Sequence, residues 1–163
     1  MNKPKWILLA EDDAPLAELT MLALAPDELA CEVIVARDGL EALDCLHRRG
    51  GFQMRTGGDP VLVLLDMKMP KMDGLEVLRR IKSDPRFKHI PVVMFTSSRE
   101  LSDVRRSYQS GANAYVVKPA DFRKFTEALE RVGQFWVKLN ELPAEAESVE
   151  TKTHDHRQLA VAV

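Results

Sequence analysis

Unbroken apolar runs recur along the chain, and each is followed by a segment with a different periodicity. The longest central run is Val61–Leu65, VLVLL, in which no polar residue alternates with the valines and leucines. A run of this kind is typical of a strand buried on both faces, as in the middle of a parallel sheet. Four further runs of strand length are Trp6–Ala10, Cys31–Ala36, Pro91–Phe95 and Ala114–Val117. The pattern therefore predicts five strands.

The segments between these runs place apolar side chains three or four residues apart, which predicts amphipathic helices. Asp38 is a good N-cap for the second helix, and Asp121 can cap a last helix that runs to roughly Leu139. Strict alternation of strand and helix predicts an α/β fold, a (βα)5 doubly wound five-stranded parallel sheet. The flavodoxin-like strand order 2-1-3-4-5 suits this length.

Composition places the chain among ordinary globular proteins, with 45% hydrophobic residues and a formal net charge of −2. No basic block stands out, so we expect no nucleic-acid partner. The N-terminus lacks an apolar signal segment and no run approaches a membrane span, so we expect a cytoplasmic protein with no membrane partner. Residues 1–140 are predicted to form one domain, and residues 141–163 a polar, mobile tail.

Chemically reactive side chains follow four of the five predicted strands. They are Glu11-Asp12-Asp13, Asp66, Thr96-Ser97 and Lys118. In a parallel sheet all carboxyl ends face the same edge, and strands 1, 3, 4 and 5 are contiguous in the order 2-1-3-4-5. We therefore expect these residues to converge on one cleft.

The residue types in this cleft indicate phosphoryl chemistry. Carboxylates of Glu11, Asp12 and Asp66 repel one another, and an oxygen-only ligand set suits Mg²⁺. Lys118 adds a positive charge for a phosphoryl oxygen, and the Thr96 hydroxyl can hydrogen-bond another. A carboxylate can itself act as the nucleophile. Asp66 is the best candidate, because it lies centrally between the acidic pair and the other two groups.

The segments LLAEDD, LLDMKMPKMDG, MFTSS and YVVKP resemble, in order and interval, the receiver domains of two-component response regulators. The resemblance covers about Lys5 to Leu139. It implies that Asp66 is the phosphoacceptor. It also implies that Asp12, Asp66 and the Lys68 main-chain carbonyl bind Mg²⁺ or Mn²⁺ directly, with Glu11 acting through water. Glu11 is a departure, since many receivers have a second aspartate at this position.

The same resemblance assigns the remaining site residues. It implies Thr96 as the switch hydroxyl beside Ser97, Tyr115 as the switch aromatic and Lys118 as the phosphate-pairing lysine. It also implies a cis peptide bond before Pro119. On phosphorylation, Thr96 would move towards the phosphate and Tyr115 would turn into the vacated space.

Two longer segments, PVVMFTSSRELSDVRRSYQSGANAYVVKP and ANAYVVKPADFRKFTEALERVGQFW, resemble single-domain regulators that serve phytochrome-type histidine kinases. The resemblance implies such a kinase as partner, and self-phosphorylation and self-dephosphorylation as the only reactions. The residues after Leu139 are too few for a DNA-binding domain, so we expect a stand-alone receiver that signals by protein contact.

Several alternatives stay open at this stage. The chain could serve a different kinase or act as a phosphorelay intermediate. An aspartyl-nucleophile phosphohydrolase is disfavoured, because such enzymes carry a second aspartate where Lys68 stands. A nucleotide or flavin carrier would need a phosphate-binding loop where Glu11-Asp12-Asp13 stands. A pseudo-receiver, acting only as an interaction module, usually lacks one of the acidic or lysine residues that are present here.

The last predicted helix is longer than a receiver domain needs. Its apolar positions are spaced by three or four residues: Phe122, Phe125, Leu129, Val132, Trp136 and Leu139. An overhanging end with Phe135, Trp136 and Leu139 in water would form an interface patch. We therefore expect a homodimer through the fourth and fifth predicted helices and the fifth strand. The competing prediction is that Trp136 folds back on its own domain.

Overall fold

The computed structural model describes residues 3–143, and its centre is a five-stranded parallel sheet. The strands are β1 (Lys5–Ala10), β2 (Cys31–Ala36), β3 (Leu62–Leu65), β4 (Val92–Thr96) and β5 (Ala114–Val117). Their order is 2-1-3-4-5, and every neighbouring pair is parallel. The predicted fold class and strand order are confirmed.

Helices follow the strands on both faces of the sheet. They are α1 (Ala14–Leu24), α2 (Pro26–Leu29), α3 (Gly39–His47), α4 (Gly74–Ser83), α5 (Leu101–Gln109) and α6 (Phe122–Gly133). The one-turn helix α2 and a 3-10 turn at Gly50–Phe52 were not predicted, because a single turn is too short to show periodicity. The five longer helices lie where the pattern predicted them.

The core forms two layers, one on each side of the sheet. Side chains of α3 and α4 pack on one face, and those of α1 and α6 pack on the other. All four residues of β3 are fully buried, which fits its unbroken apolar run. Cys31 and Cys45 are buried free thiols, and burial raises the pKa of each to about 11. They are core residues rather than reactive groups.

Aspartate caps fix where four helices begin. Asp13, Asp38, Asp73 and Asp121 each accept a hydrogen bond from the backbone amide three residues ahead. A carboxylate at this position satisfies one of the free amides of the first turn and favours the positive end of the helix dipole. Both predicted caps, Asp38 and Asp121, are confirmed.

The chain continues beyond α6 as a π-helical turn, Gln134–Leu139, closed by a bond from the Asn140 amide to the Phe135 carbonyl at 2.7 Å. The wider turn shifts the inward face by one residue, so that Val137 is fully buried while Trp136 only partly packs on the core. At the start of α6, Phe122 is 66% exposed, although the spacing placed it on the inward stripe.

The sequence also predicts a C-terminal tail and no membrane-spanning segment. Of the predicted tail at 141–163, residues 144–163 lie outside the described part of the chain. Within residues 3–143, no helix combines the length and apolar character that crossing a membrane requires.

Candidate functional site

The carboxyl ends of three strands bring together the charged residues that the sequence singled out. Glu11 follows β1, Asp66 follows β3 and Lys118 follows β5. The ammonium nitrogen Nζ of Lys118 lies 2.6 Å from Oε2 of Glu11 and 3.2 Å from Oδ2 of Asp66. All three side chains are at most 12% exposed, so their charges interact across a partly desolvated space.

Three carboxylates form a cluster in this space. Glu11, Asp12 and Asp66 each offer one oxygen, and these oxygens all lie within 4.8 Å of one another. Three carboxylates against the one ammonium of Lys118 leave a formal charge of −2. An all-oxygen donor set with surplus negative charge fits a hard divalent cation. The residues present therefore fit the predicted metal class.

Burial acts most strongly on Glu11, which is 3% exposed. Desolvation raises the pKa of Glu11 above its ordinary value of 4.5, although the hydrogen bond and charge of Lys118 oppose this effect. The Asp13 amide donates to the other Glu11 oxygen at 3.2 Å. Glu11 thus meets Lys118 directly, a contact that the sequence did not predict.

Asp66 is held by its own loop. Its Oδ1 accepts a hydrogen bond from the Met67 amide at 2.7 Å, and the Met67 carbonyl accepts one from the Gly74 amide at 2.7 Å. The first residue of α4 must be glycine for this geometry, since a Cβ on Gly74 would lie 1.9 Å from the Asp66 carbonyl oxygen. Close approach of Gly74 therefore sets where Asp66 sits at the end of β3.

The end of β4 contributes the hydroxyl side of the site. A cavity of about 310 Å³ opens beside Asp66, lined by Asp66, Lys68, Thr96, Ser97, Ser98, Arg99 and Glu100. Thr96 is 3% exposed, and its Oγ1 accepts a hydrogen bond from the Ser98 amide at 3.3 Å. The predicted residues Thr96, Ser97 and Lys68 thus share one cavity with Asp66.

Tyr115 on β5 is connected to the same loop. Its hydroxyl donates to the Ser98 carbonyl at 2.9 Å, and burial raises its pKa. The Ser98 hydroxyl donates in turn to Oδ2 of Asp103 on α5 at 2.6 Å. Hydrogen bonds from Ser98 and Arg106 lower the pKa of Asp103. Sequence reasoning missed Ser98 and Asp103, because a serine in a loop and an acid in a helix carry no distinctive pattern.

The peptide bond before Pro119 differs from the expectation. The described residues contain no cis peptide bond, so the bond between Lys118 and Pro119 is trans rather than cis. The preference between the two forms before proline is small, about 0.5–1 kcal/mol in favour of trans. Lys118 reaches both carboxylates from the trans bond while its amide donates to the Thr96 carbonyl at 2.8 Å.

The site geometry and the fold agree with a comparison against protein families. Residues 7–130 match the response regulator receiver domain. The chain belongs to the response regulator receiver family. The family that the sequence motifs resembled is thereby confirmed.

Several similar proteins are response regulators of one group, those that are named after phytochromes. The chain is 37% identical over 143 residues to the response regulator Rcp1 of Synechocystis sp., covering 88% of this chain and 96% of the relative. A crystal structure of phosphorylated RcpA, a cyanobacterial phytochrome response regulator, is 37% identical with a TM-score of 0.79, over 86% of this chain and 99% of that one. The bacteriophytochrome response regulator AtBRR is 54% identical with a TM-score of 0.69, over 86% of this chain and 100% of that one.

Rcp1 has also been solved in an Mn²⁺-bound form, with a TM-score of 0.79 over 86% of this chain and 100% of that one. The chain is thus a receiver domain similar to phytochrome response regulators, as the two longer sequence segments predicted.

Proposed function

We propose that this receiver accepts a phosphoryl group on Asp66 from a histidine kinase. The observation that carries the proposal is the contact of Lys118 Nζ with Asp66 Oδ2 at 3.2 Å, inside the cluster formed with Glu11 and Asp12. The contact supports Asp66 as the nucleophile, because the ammonium of Lys118 lies directly beside its carboxylate. A reacting phosphoryl group needs both a nucleophile and a nearby positive charge.

The orientation of Asp66 supports one of its two oxygens as the one that attacks the phosphoryl group. Its Oδ1 is held by the Met67 amide, which leaves Oδ2 as the attacking oxygen. As a bond forms from this oxygen to phosphorus, the phosphorus–nitrogen bond of the donor phosphohistidine breaks and the imidazole leaves with the electron pair. Lys118 then transfers its hydrogen bond from Oδ2 to a phosphoryl oxygen. The Thr96 hydroxyl can donate to a second one.

A divalent cation belongs to this proposal. Asp12, Asp66 and the Lys68 carbonyl would hold Mg²⁺ directly, and Glu11 through water. When bound, such a cation neutralises carboxylate charge while an anionic donor approaches. The oxygen-only cluster supports a hard cation, and the Mn²⁺-bound form of the relative Rcp1 supports the divalent class.

Phosphorylation would act through the β4–α5 loop. The new charge and oxygens lie beside Thr96, whose hydroxyl accepts a bond from the Ser98 amide. If Thr96 turns to the phosphate, the loop that Tyr115 and Asp103 hold through Ser98 must adjust. The surface of α5 and β5 would then carry the signal to a protein partner.

The donor in this proposal is a phytochrome-type histidine kinase, and the setting is the cytoplasm. The relatives named as phytochrome and bacteriophytochrome response regulators support this choice.

No turnover of free phosphate esters is expected, since Lys68 stands where a hydrolase carries its second aspartate. Transfer from a purified phytochrome-type kinase at least ten times faster than from unrelated kinases is the expected result, whereas equal rates would favour a different donor or a relay role.

Intact-mass measurement after treatment with acetyl phosphate and Mg²⁺ tests the core of the proposal. One phosphoryl group should be added to the wild type. None should be added to Asp66→Asn or in EDTA. Asp13→Asn is the matched control, because Asn keeps the N-cap acceptor of α1 and Asp13 is not part of the acidic cluster. Labelling of Asp66→Asn at the wild-type level would refute the proposal.

We also propose a homodimer through α5, α6 and β5. Exposed apolar side chains at the end of the last helix support it, since Phe135 is 47% and Leu139 71% exposed. A second copy of the chain would bury the side chains of Phe135 and Leu139. Trp136 packs against its own core as well as edge-to-face on Phe135, so it contributes less free surface than the sequence predicted.

Sedimentation separates this dimer from a monomer. The wild type should sediment as a dimer at micromolar concentration, and Phe135→Ser/Leu139→Ser as a monomer. Leu22→Ser is the matched control, because Leu22 on α1 has the same 71% exposure and lies outside the proposed interface. A monomeric wild type would refute the dimer.

A further inference from the structure

A contact between the β3–α4 loop (66–73) and the start of α3 lies outside the site described above. Lys71, midway along this loop, places its Nζ 3.1 Å from Oδ2 of Asp38, the N-cap residue of α3. One residue further, the Met72 carbonyl oxygen packs so closely on Gly39 that a Cβ there would lie 2.1 Å away. We call these four residues, Asp38, Gly39, Lys71 and Met72, the loop clasp.

The backbone of Lys71 indicates that its side chain matters. Its φ is +65°, in the left-handed region that glycine adopts freely and other residues adopt at a cost. Among the described residues, the other non-glycine residues with positive φ are Ala25, Ala30 and Arg48, and each of them is the C-cap of a helix, whereas Lys71 lies in a loop. Strained backbone persists where neighbouring contacts determine it, and such positions cluster at functional sites. The contact that the Lys71 side chain makes in this conformation is the ion pair with Asp38.

Asp38 makes the pair more than a surface contact. Its side chain is 9% exposed, whereas that of Lys71 is 63% exposed. One oxygen accepts the Glu41 amide at 2.8 Å, so the other is available for the lysine. Burial acts to raise the pKa of Asp38, but the Glu41 amide and Lys71 outweigh it and the pKa lies below its ordinary value. Ion pairs with a nearly buried partner are screened less than exposed ones.

The other end of the same loop holds Asp66. The Met67 amide donates to the Asp66 carboxylate, and the Met67 carbonyl accepts from the Gly74 amide, which closes the loop at its base. A bond from the Met72 amide to the Pro70 carbonyl at 2.7 Å tightens its middle. Because the loop is short and closed, we expect a displacement at Lys71 to be passed on to the Met67 amide and the Lys68 carbonyl.

We infer that Asp38 and Lys71 are positioning residues for Asp66. Their ion pair fixes the loop whose Met67 amide orients the Asp66 carboxylate and whose Lys68 carbonyl would face the cation. The inference rests on the proposed function of Asp66, but it assigns a role to two residues outside the acidic cluster and the adjoining cavity. A loosened clasp weakens cation binding and slows phosphorylation without removing any group from the site.

The test uses the full chain and three variants. Lys71→Met keeps the aliphatic stem and removes the charge, Asp38→Asn keeps the cap acceptor and removes the charge, and the third variant combines both. Lys124→Met, an exposed lysine on α6, is the control. For each protein, Mn²⁺ affinity is measured by calorimetry, labelling by acetyl phosphate at saturating Mn²⁺ by mass spectrometry, and exchange of the amides at 67–74 by hydrogen–deuterium exchange.

Each single variant should raise the dissociation constant for Mn²⁺ about tenfold, as expected when a group supporting metal ligands is lost. Labelling should slow by a similar factor, and exchange of the loop amides should quicken while that of the β3 amides stays unchanged. The double variant should be no worse than the worse single variant, because both changes break the same pair. Lys124→Met should match the wild type throughout.

Lys71→Gly provides the decisive contrast, since it relieves the positive φ and removes the ion pair. The inference predicts weaker Mn²⁺ binding in this variant even if its melting temperature rises. Wild-type Mn²⁺ affinity and loop exchange in Lys71→Gly and Lys71→Met would overturn the inference. Failure of the proposed function is a different result: the wild type itself would then carry no phosphoryl group on Asp66.

Discussion

Two partly buried lysines, Lys118 and Lys82, lie at opposite ends of the sheet and bind different kinds of partner. At the carboxyl end, Lys118 contacts two carboxylates, those of Glu11 and Asp66. At the amino end, Lys82 donates to the Ile90 carbonyl at 2.7 Å, the Asn113 side chain at 2.9 Å and the Lys88 carbonyl at 3.2 Å. Both lysines are well bonded, but only Lys118 is bonded to charged partners.

Under the proposed function, this difference separates a structural lysine, Lys82, from a reactive one, Lys118. Lys82 joins α4 to the segments just before β4 and β5. Because the main-chain carbonyls of Lys88 and Ile90 are fixed by the fold, Lys82 keeps the same hydrogen-bond partners. Around Lys118, the negative charge of three carboxylates is larger than the positive charge of one ammonium group. This surplus negative charge favours the binding of a cation. A phosphoryl group that arrives with the cation can then take over the hydrogen bond of Lys118. The same side chain thus stabilises at one end and can act at the other.

Replacing Lys118 should give the largest effect. Lys118→Met leaves Glu11 and Asp66 buried without their cation, which we expect to destabilise the metal-free fold by about 3 kcal/mol. Labelling by acetyl phosphate should slow by about a hundredfold, as when one fixed donor to a developing charge is lost. Mg²⁺ should bind more tightly and restore part of the melting temperature. Unchanged labelling would show that Lys118 is structural, like Lys82.

Gly74→Ala tests whether the carboxyl end also depends on steric fit. The added Cβ would meet the Asp66 carbonyl oxygen at 1.9 Å, and overpacking of this kind should cost about 2–3 kcal/mol of stability and displace the loop that holds Asp66. Gly51→Ala is the control, because a Cβ there has no atom within 4 Å. Chemical denaturation and labelling measure both effects; a Gly74→Ala protein with wild-type stability and labelling contradicts the prediction.

Lys82→Met should reverse the pattern seen at Lys118. Loss of the donor leaves the Ile90 carbonyl and the Asn113 side chain with fewer partners, so the fold should lose about 2 kcal/mol. Labelling of Asp66, measured below the melting temperature, should stay within about twofold of the wild type. A labelling defect as large as that of Lys118→Met would remove the distinction between the two ends.

The smallest expected effect is a pH dependence that comes from Lys82. Burial lowers its pKa below the ordinary 10.5, so the folded state binds its proton less tightly than the unfolded state does. Between the lowered pKa and 10.5 the unfolded chain holds more protons, and stability therefore rises with pH through that window. Denaturation at several pH values should show the wild type gaining stability relative to Lys82→Met as pH approaches 10.5. Parallel curves would contradict the assignment.

The two ends also differ in how far the sequence predicted them. The strand ends at the carboxyl edge were predictable, since unbroken apolar runs fix the strands and topology then brings Glu11, Asp66, Thr96 and Lys118 to one edge. Nothing comparable identifies Lys82 or Asn113. Their contact joins the end of a helix to a loop, and such a pairing has no sequence periodicity.

Contacts within the site and next to it depend on distances between segments that sequence spacing cannot supply. The contact of Lys118 with Glu11, and the loop clasp of Asp38 and Lys71, require the distance between segments far apart in sequence. The π-helical turn after α6 was missed because one extra residue per turn changes the inward side chain from Trp136 to Val137 without altering the apolar pattern. Local sequence describes which residues are apolar, and only packing decides which of them face inward.

Locating the phosphoryl group is the most direct test of the central claim. Wild-type protein is treated with acetyl phosphate and Mg²⁺, the acyl phosphate is trapped by borohydride reduction, and the digested peptides are analysed by tandem mass spectrometry. The reduced residue should be found at Asp66, with Asp12 and Glu11 unmodified, and should be absent when EDTA replaces Mg²⁺. Reduction at Asp12 or Glu11, or no reduction at Asp66 under conditions that add a phosphoryl group to the intact protein, would contradict the account.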